Sequence, residues 1–123
     1  MPNPLPHHHD NHSEKLLTRM PREEVFRFAA DAFKLLSDPR RMQIYWVLCH
    51  CEECVMNISA LVAMSSPAVS HHLKLLKEAG LITSRRDGKE VYYTAASTEH
   101  SADLHETIEK MIRISCPTDP GHE

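Results

Sequence analysis

The most chemically unusual stretch of the 123-residue chain is Cys-His-Cys-Glu-Glu-Cys at 49–54, which places Cys49, Cys51 and Cys54 close together with His50 between the first two. Thiolates this close suit soft or borderline ions such as Zn(II), Cd(II), Pb(II), As(III) or Cu(I). Left unligated near a helix end, three reduced cysteines are open to oxidation, so the same residues also fit a thiol-redox sensor. The plainer alternative is burial of one or two of them as small apolar side chains. Cys116, His50, His100, His105 and the N-terminal His7, His8, His9 and His12 are further candidate ligands. Enzymatic chemistry is not expected. The chain has no His-Glu-x-x-His, no glycine-rich phosphate loop, no paired carboxylates and no poised Ser/His/Asp set.

A second group of residues suits nucleic-acid binding. On a helical wheel Val69, Leu73 and Leu76 point one way, while Ser66, Ser70, His71, Lys74 and Lys77 spread over the outer side. Short hydroxyls, an imidazole and lysines reach base edges and phosphates in a major groove, although a merely solvated face looks the same. What distinguishes the two is the segment that follows. Arg85, Arg86 and Lys89 surround Asp87-Gly88, and a basic hairpin tip beside such a helix is a phosphate clamp. Net charge is −3, so global basicity does not advertise a nucleic-acid partner. The charge is uneven, however: residues 66–93 hold five basic against three acidic side chains and leave the excess of acid to the rest.

The elements that must position these groups are legible in the spacing. Residues 1–18, with three early prolines and a histidine cluster, show no periodic apolar face and read as a flexible tail. A helix opens at Pro21, with Val25, Phe26, Ala29, Ala32, Phe33 and Leu36 at helical spacing. Asp38-Pro39 ends it and caps a second helix through Leu48. Asn57 caps a short third, and Ser66-Pro67 starts a fourth that Gly80 stops. Two β-prone runs, 81–86 and 89–95, flank the Asp-Gly turn, and an amphipathic helix over 98–114 follows. The order α-α-α-α-β-β-α is a mainly α chain with a small β-hairpin, a winged helix-turn-helix. One domain over 19–116 is expected, between the tail and a C-terminal tail at 117–123. No run approaches the roughly 20 apolar residues of a membrane span, and no apolar signal-peptide core is seen, so a soluble, cytoplasmic protein is expected.

The stretch SSPAVSHHLKLLKEAGLITSRRDGKEVYY resembles the recognition helix and wing of the ArsR/SmtB family of bacterial metal-responsive repressors. The upstream LLSDPRRMQIYWVL resembles that family's second helix, including its Asp-Pro-x-Arg opening. The resemblance implies a homodimer with the first and last helices at the interface, each subunit reading half of an imperfect palindromic operator. It also implies that an inducer lowers operator affinity. The family's Cys-x-Cys motif falls on Cys54 and Met56, so Cys49 and Cys51 would complete a shifted site. Its other common zinc site, on the last helix, falls on Ser97, Glu99, Lys110 and Arg113, and is not expected in this chain.

Overall fold

The computed structural model describes residues 5–115 and divides into two compact units that meet in sequence between Ala32 and Phe33. The first unit contains helix α1 (Asn11–Arg19) and most of α2 (Glu23–Leu35). Helix α1 lies where the sequence suggests only a tail. Asp10 caps it, its carboxylate accepting from the His12 N–H at 2.9 Å, and Glu14 and Arg19 complement the two ends of the helix dipole. Helix α2 begins two residues after Pro21 and leaves Val25, Phe26 and Phe28 exposed. The C-terminal tail and Cys116 lie outside the described residues.

The second unit comprises α3 (Pro39–His50), β1 (Glu53–Cys54), α4 (Val55–Val62), α5 (Ser66–Glu78), β2 (Ile82–Asp87), β3 (Glu90–Ala95) and α6 (Glu99–Ser115), after the end of α2. Asp38 caps α3 through Oδ1, which accepts the Arg40 and Arg41 N–H groups at 2.9 and 3.0 Å. Those two arginines then brace their neighbours. Arg40 Nη2 donates to the Val62 carbonyl at 2.6 Å, and Arg41 Nη1 to the Leu35 carbonyl at 2.8 Å. Both carbonyls belong to helix C-terminal turns that lack helical partners.

Ile44, Tyr45 and Leu48 of α3, Ile58 and Val62 of α4, and Val69, Leu73 and Leu76 of α5 form the buried core with Leu81, Ile82, Leu104 and Ile108. The buried Tyr45 hydroxyl donates to the Ser101 carbonyl at 2.9 Å, tying α3 to α6. Helices α4 and α5 are joined by residues 63–65, with Ala63 in the left-handed region at φ 56°. This is the helix-turn-helix, and the hairpin β2–β3 is its wing.

Three details differ from the sequence reading. Ser65 rather than Ser66 caps α5, accepting from the Ala68 N–H at 3.3 Å. The hairpin register pairs Asp87 with Glu90, so Gly88-Lys89 rather than Asp87-Gly88 fills the two-residue loop. Gly88, at φ 65°, takes the first central position, where a type II′ turn requires glycine. A short strand, β1, also joins the wing, giving an antiparallel sheet in the order β1-β3-β2. Since β1 holds Cys54 extended, α4 starts at once after it instead of at Asn57.

Candidate nucleic-acid interface and cysteine segment

Ser66, Ser70, His71, Lys74 and Lys77 are all exposed along α5, opposite its buried Val69, Leu73 and Leu76. Their freedom differs. Ser66 Oγ lies 3.3 Å from Ser59 Oγ, and Lys77 Nζ donates to Ser84 Oγ at 2.7 Å, which ties α5 to β2. Lys74 makes no ion pair with any described residue. His72 turns inward, and Arg41 Nε donates to its Nδ1 at 3.2 Å. Burial, reinforced by Arg41, holds the His72 imidazole below its ordinary pKa.

On the wing, Arg85, Arg86 and Lys89 are exposed. Arg86 and Lys89 form no ion pair among the described residues, whereas Arg85 is engaged. Its Nε and Nη2 donate to the two Glu52 carboxylate oxygens at 2.8 and 2.7 Å, and its guanidinium lies 5.0 Å from the Tyr92 ring centroid. The same pair keeps Glu52 below and Arg85 above their usual pKa values. Sequence reading missed Glu52 because nothing local announces a partner 33 positions away.

The cysteine segment spans the end of α3, the connection and β1. Cys49 is half-buried beside the Tyr45 hydroxyl, and burial pushes its thiol up to about 11, with the Glu109 carboxylate adding to the push. Cys51 is exposed, its thiol donating to the Val47 carbonyl at 3.4 Å, and partial desolvation, then the Glu53 carboxylate, raise its pKa. Cys54 is half-buried on β1 and pairs with Tyr92 of β3, which pairs on its other side with Arg85 of β2. Residues directly opposite in a sheet point to the same face, so Cys54, Tyr92 and Arg85 form one rung.

The three thiols are not gathered into a ready coordination set. Among the described residues, the trio of potential ligand atoms that lie within 4.8 Å of one another belongs to His50, His105 and Glu109. Glu109 also accepts from Trp46 Nε1 at 2.6 Å. His50 and His105 were legible as candidate ligands; Glu109 was not, although its place four residues after His105 puts both on one face of α6. Elsewhere on that helix His100 is half-buried. In the first unit His8 Nδ1 lies 2.8 Å from Glu14 Oε2, and the His7 and His9 rings stack with centroids 6.1 Å apart.

Comparison with known proteins agrees with this geometry. The family model described as bacterial regulatory protein, arsR family, matches residues 38–84. A transcriptional repressor SmtB homolog of Synechocystis sp. is 35% identical over 86 residues, covering 70% of this chain and 64% of that protein. The cadmium resistance transcriptional regulatory protein CadC of Listeria innocua is 45% identical over 62 residues, covering 50% of this chain and 52% of that one. The chain thus spans only about half to just under two thirds of those relatives' length. Among solved structures, HlyU from Vibrio cholerae superposes with a TM-score of 0.67 at 31% identity, covering 73% of this chain and 97% of that one. The homodimeric winged helix-turn-helix DNA-binding domain Mb0332 from Mycobacterium bovis gives 0.67 at 26% identity, covering 85% and 98%.

Proposed function

Since the chain belongs to the arsR family of bacterial regulatory proteins, the ArsR/SmtB regulators, we propose that it is a homodimeric repressor released from a palindromic operator when its cysteine segment takes up a soft or borderline metal ion or metalloid. Ser66, Ser70, His71, Lys74 and Lys77 of α5 read the major groove, and Arg85, Arg86 and Lys89 clamp phosphates from the wing. Support for the dimer comes from apolar surface that one subunit leaves uncovered. A groove of about 540 Å³ in the second unit is lined by Phe33, Leu36, Met42, Leu104, Ile108 and Met111. Phe33, Met111 and Ile114 are themselves more than half exposed. The cadmium resistance regulator CadC supports a metal as the signal, and the SmtB homolog supports repression.

The observation that carries this reading is the pairing of β1 with β3. It makes the cysteine segment an edge of the wing's own sheet, with Cys54 and Arg85 on one rung and Glu52 gripping Arg85. Cys49, Cys51 and Cys54 are the residues that would hold the ion, and their donor chemistry fits zinc, cadmium, lead, arsenite or cuprous copper. Because the thiols start apart, drawing them together reshapes residues 49–54 and pulls on the strand that supports the wing. Ligation also displaces a proton from Cys49, which burial keeps protonated at neutral pH. Only an ion that binds the free and DNA-bound dimers unequally regulates anything, and a coupling of about 1–3 kcal/mol loosens the operator roughly 5–150-fold.

The test is anisotropy of a fluorescent promoter fragment with the reduced dimer at fixed salt, titrated with each candidate ion and then with chelator. Wild type is released by a thiophilic ion and rebinds with chelator. The Cys49→Ser, Cys51→Ser and Cys54→Ser proteins bind as tightly but ignore the ion. Normal release in all three removes the assignment, and release by mild oxidant that only a reductant reverses replaces the metal with a redox signal.

A further inference from the structure

Apart from the cysteines, three donors already converge. His50 Nε2 and Glu109 Oε2 are 3.0 Å apart, His105 Nε2 and Glu109 Oε2 3.3 Å, and the two imidazole nitrogens 3.3 Å. We propose that His50, His105 and Glu109 form a second metal site, built within one subunit from nitrogen and oxygen donors, for a borderline divalent cation such as zinc, cobalt or nickel. This goes beyond the cysteine reading and does not depend on it.

Coordination geometry supports the assignment. A tetrahedral ion with bonds of about 2.0–2.1 Å spaces its ligand atoms about 3.3 Å apart. An octahedral ion with bonds of about 2.1 Å spaces adjacent ligands about 3.0 Å apart. The three donors therefore already mark one face of a coordination polyhedron. Hydrogen bonding alone uses them poorly. Two facing imidazole nitrogens can share one proton, whereas doubly protonated rings repel at this distance. A cation among the three atoms engages both nitrogen lone pairs and the carboxylate together.

The supporting elements suit the purpose. His105 and Glu109 stand one turn apart on α6, and His50 is the last residue of α3, so neither helix holds the ion alone. The three side chains are 45%, 30% and 26% exposed, which leaves a path from solvent and room for water as a remaining ligand. An ion here would pin the end of α3, where the cysteine segment begins, to α6. The donors are imidazole and carboxylate, which favour zinc, cobalt or nickel over the softest thiophilic ions.

The protein carries its own reporter. Trp46 is its one tryptophan. Its Nε1 donates to the Glu109 oxygen that would bind the ion, at 2.6 Å, and its ring centroid lies 4.4 Å from that of His50. The experiment uses the full chain with Cys49, Cys51, Cys54 and Cys116 replaced by Ser and His7, His8, His9 and His12 by Ala. Zinc should change Trp46 emission with saturation at one ion per chain. Cobalt should give visible ligand-field bands without thiolate charge transfer. Glu109→Gln and His105→Ala in that background should each weaken zinc binding roughly 10–100-fold while keeping the metal-free thermal midpoint. Silence of Trp46 in the cysteine-free chain, or wild-type zinc affinity in both variants, overturns the site. Loss of operator release in the cysteine variants bears only on the thiol site, so the two failures are distinguishable.

Discussion

Glu52 and Arg85 meet in a two-pronged ion pair, with Arg85 Nε and Nη2 donating at 2.8 and 2.7 Å to opposite oxygens of one carboxylate. The fork is the geometry in which a guanidinium also grips phosphate, so Glu52 occupies the hand that the wing would offer DNA. The Arg85 side chain is 53% and the Glu52 side chain 36% exposed, so water screens the pair and it does little for stability. Its consequence lies in binding.

Glu52→Gln should release Arg85 to the operator. Affinity should rise several-fold, and the plot of log affinity against log salt should steepen by about 0.9, the contribution of one further phosphate contact. The thermal midpoint should not move. Anisotropy titrations at four or more salt concentrations provide the check, and an unchanged slope would mean that Glu52 does not withhold Arg85 from a phosphate.

Lys74 and Arg86 differ from Arg85 in having no ion-pair partner among the described residues, so they are available to DNA without a competing carboxylate. Lys74→Ala and Arg86→Ala should each lower affinity for specific and unrelated duplexes alike and flatten the salt slope by about 0.9. Ser70→Ala or His71→Ala should instead reduce the preference for the cognate site, because groove-facing side chains discriminate bases. Measuring each variant on operator and on scrambled duplex separates the two behaviours.

The element order was legible because each boundary has a local chemical cause: the Asp38-Pro39 cap, the four- and three-residue spacing of Val69, Leu73 and Leu76, and the left-handed Gly80 whose φ is 78°. Glycine there lets the Leu81 N–H reach the Leu76 carbonyl at 3.0 Å and close the helix. Strand β1 was not legible. It is two residues long, and its order comes from Tyr92 and Tyr93, nearly forty positions later in the chain. Glu52 and Glu109 escaped for the same reason, since an acidic side chain gains its role only from distant partners. The α1 helix was missed because its nine residues carry only Leu16 and Leu17 as large apolar side chains, too few to show a repeating face, although Asp10 caps it.

Tyr45 is fully buried, and its hydroxyl donates to the Ser101 backbone carbonyl while lying 2.5 Å from Ser101 Oγ. Burial pushes its pKa up to about 12, so the neutral phenol is a dependable donor. Tyr45→Phe keeps the ring but removes a buried hydrogen bond to Ser101, whose carbonyl helix α6 still pairs, and this should cost about 0.5–1.5 kcal/mol. Urea unfolding should show a lower midpoint with an unchanged m-value. A loss below about 0.5 kcal/mol would show that Ser101 finds another partner.

His72 sets the pH behaviour of the reading helix. Arg41 Nε donates to its Nδ1 at 3.2 Å, a contact that needs a neutral ring with Nδ1 as acceptor. Burial lowers the His72 pKa first, Arg41 next, with His71 and Arg40 adding to the effect and Asp38 opposing it. The unfolded chain takes up a proton near the ordinary value of 6.5, whereas the native ring resists it. Stability from this group is therefore whole above pH 6.5 and falls as pH drops toward the native pKa. Asp38 and Glu52, whose pKa values are also lowered, act in the same direction, but only once pH falls below their ordinary 3.8 and 4.5. His72→Gln retains an acceptor for Arg41 and carries no titrating proton. Its urea midpoint should accordingly change less than that of wild type as pH falls below 6.5, and equal slopes for the two proteins would place the acid sensitivity elsewhere.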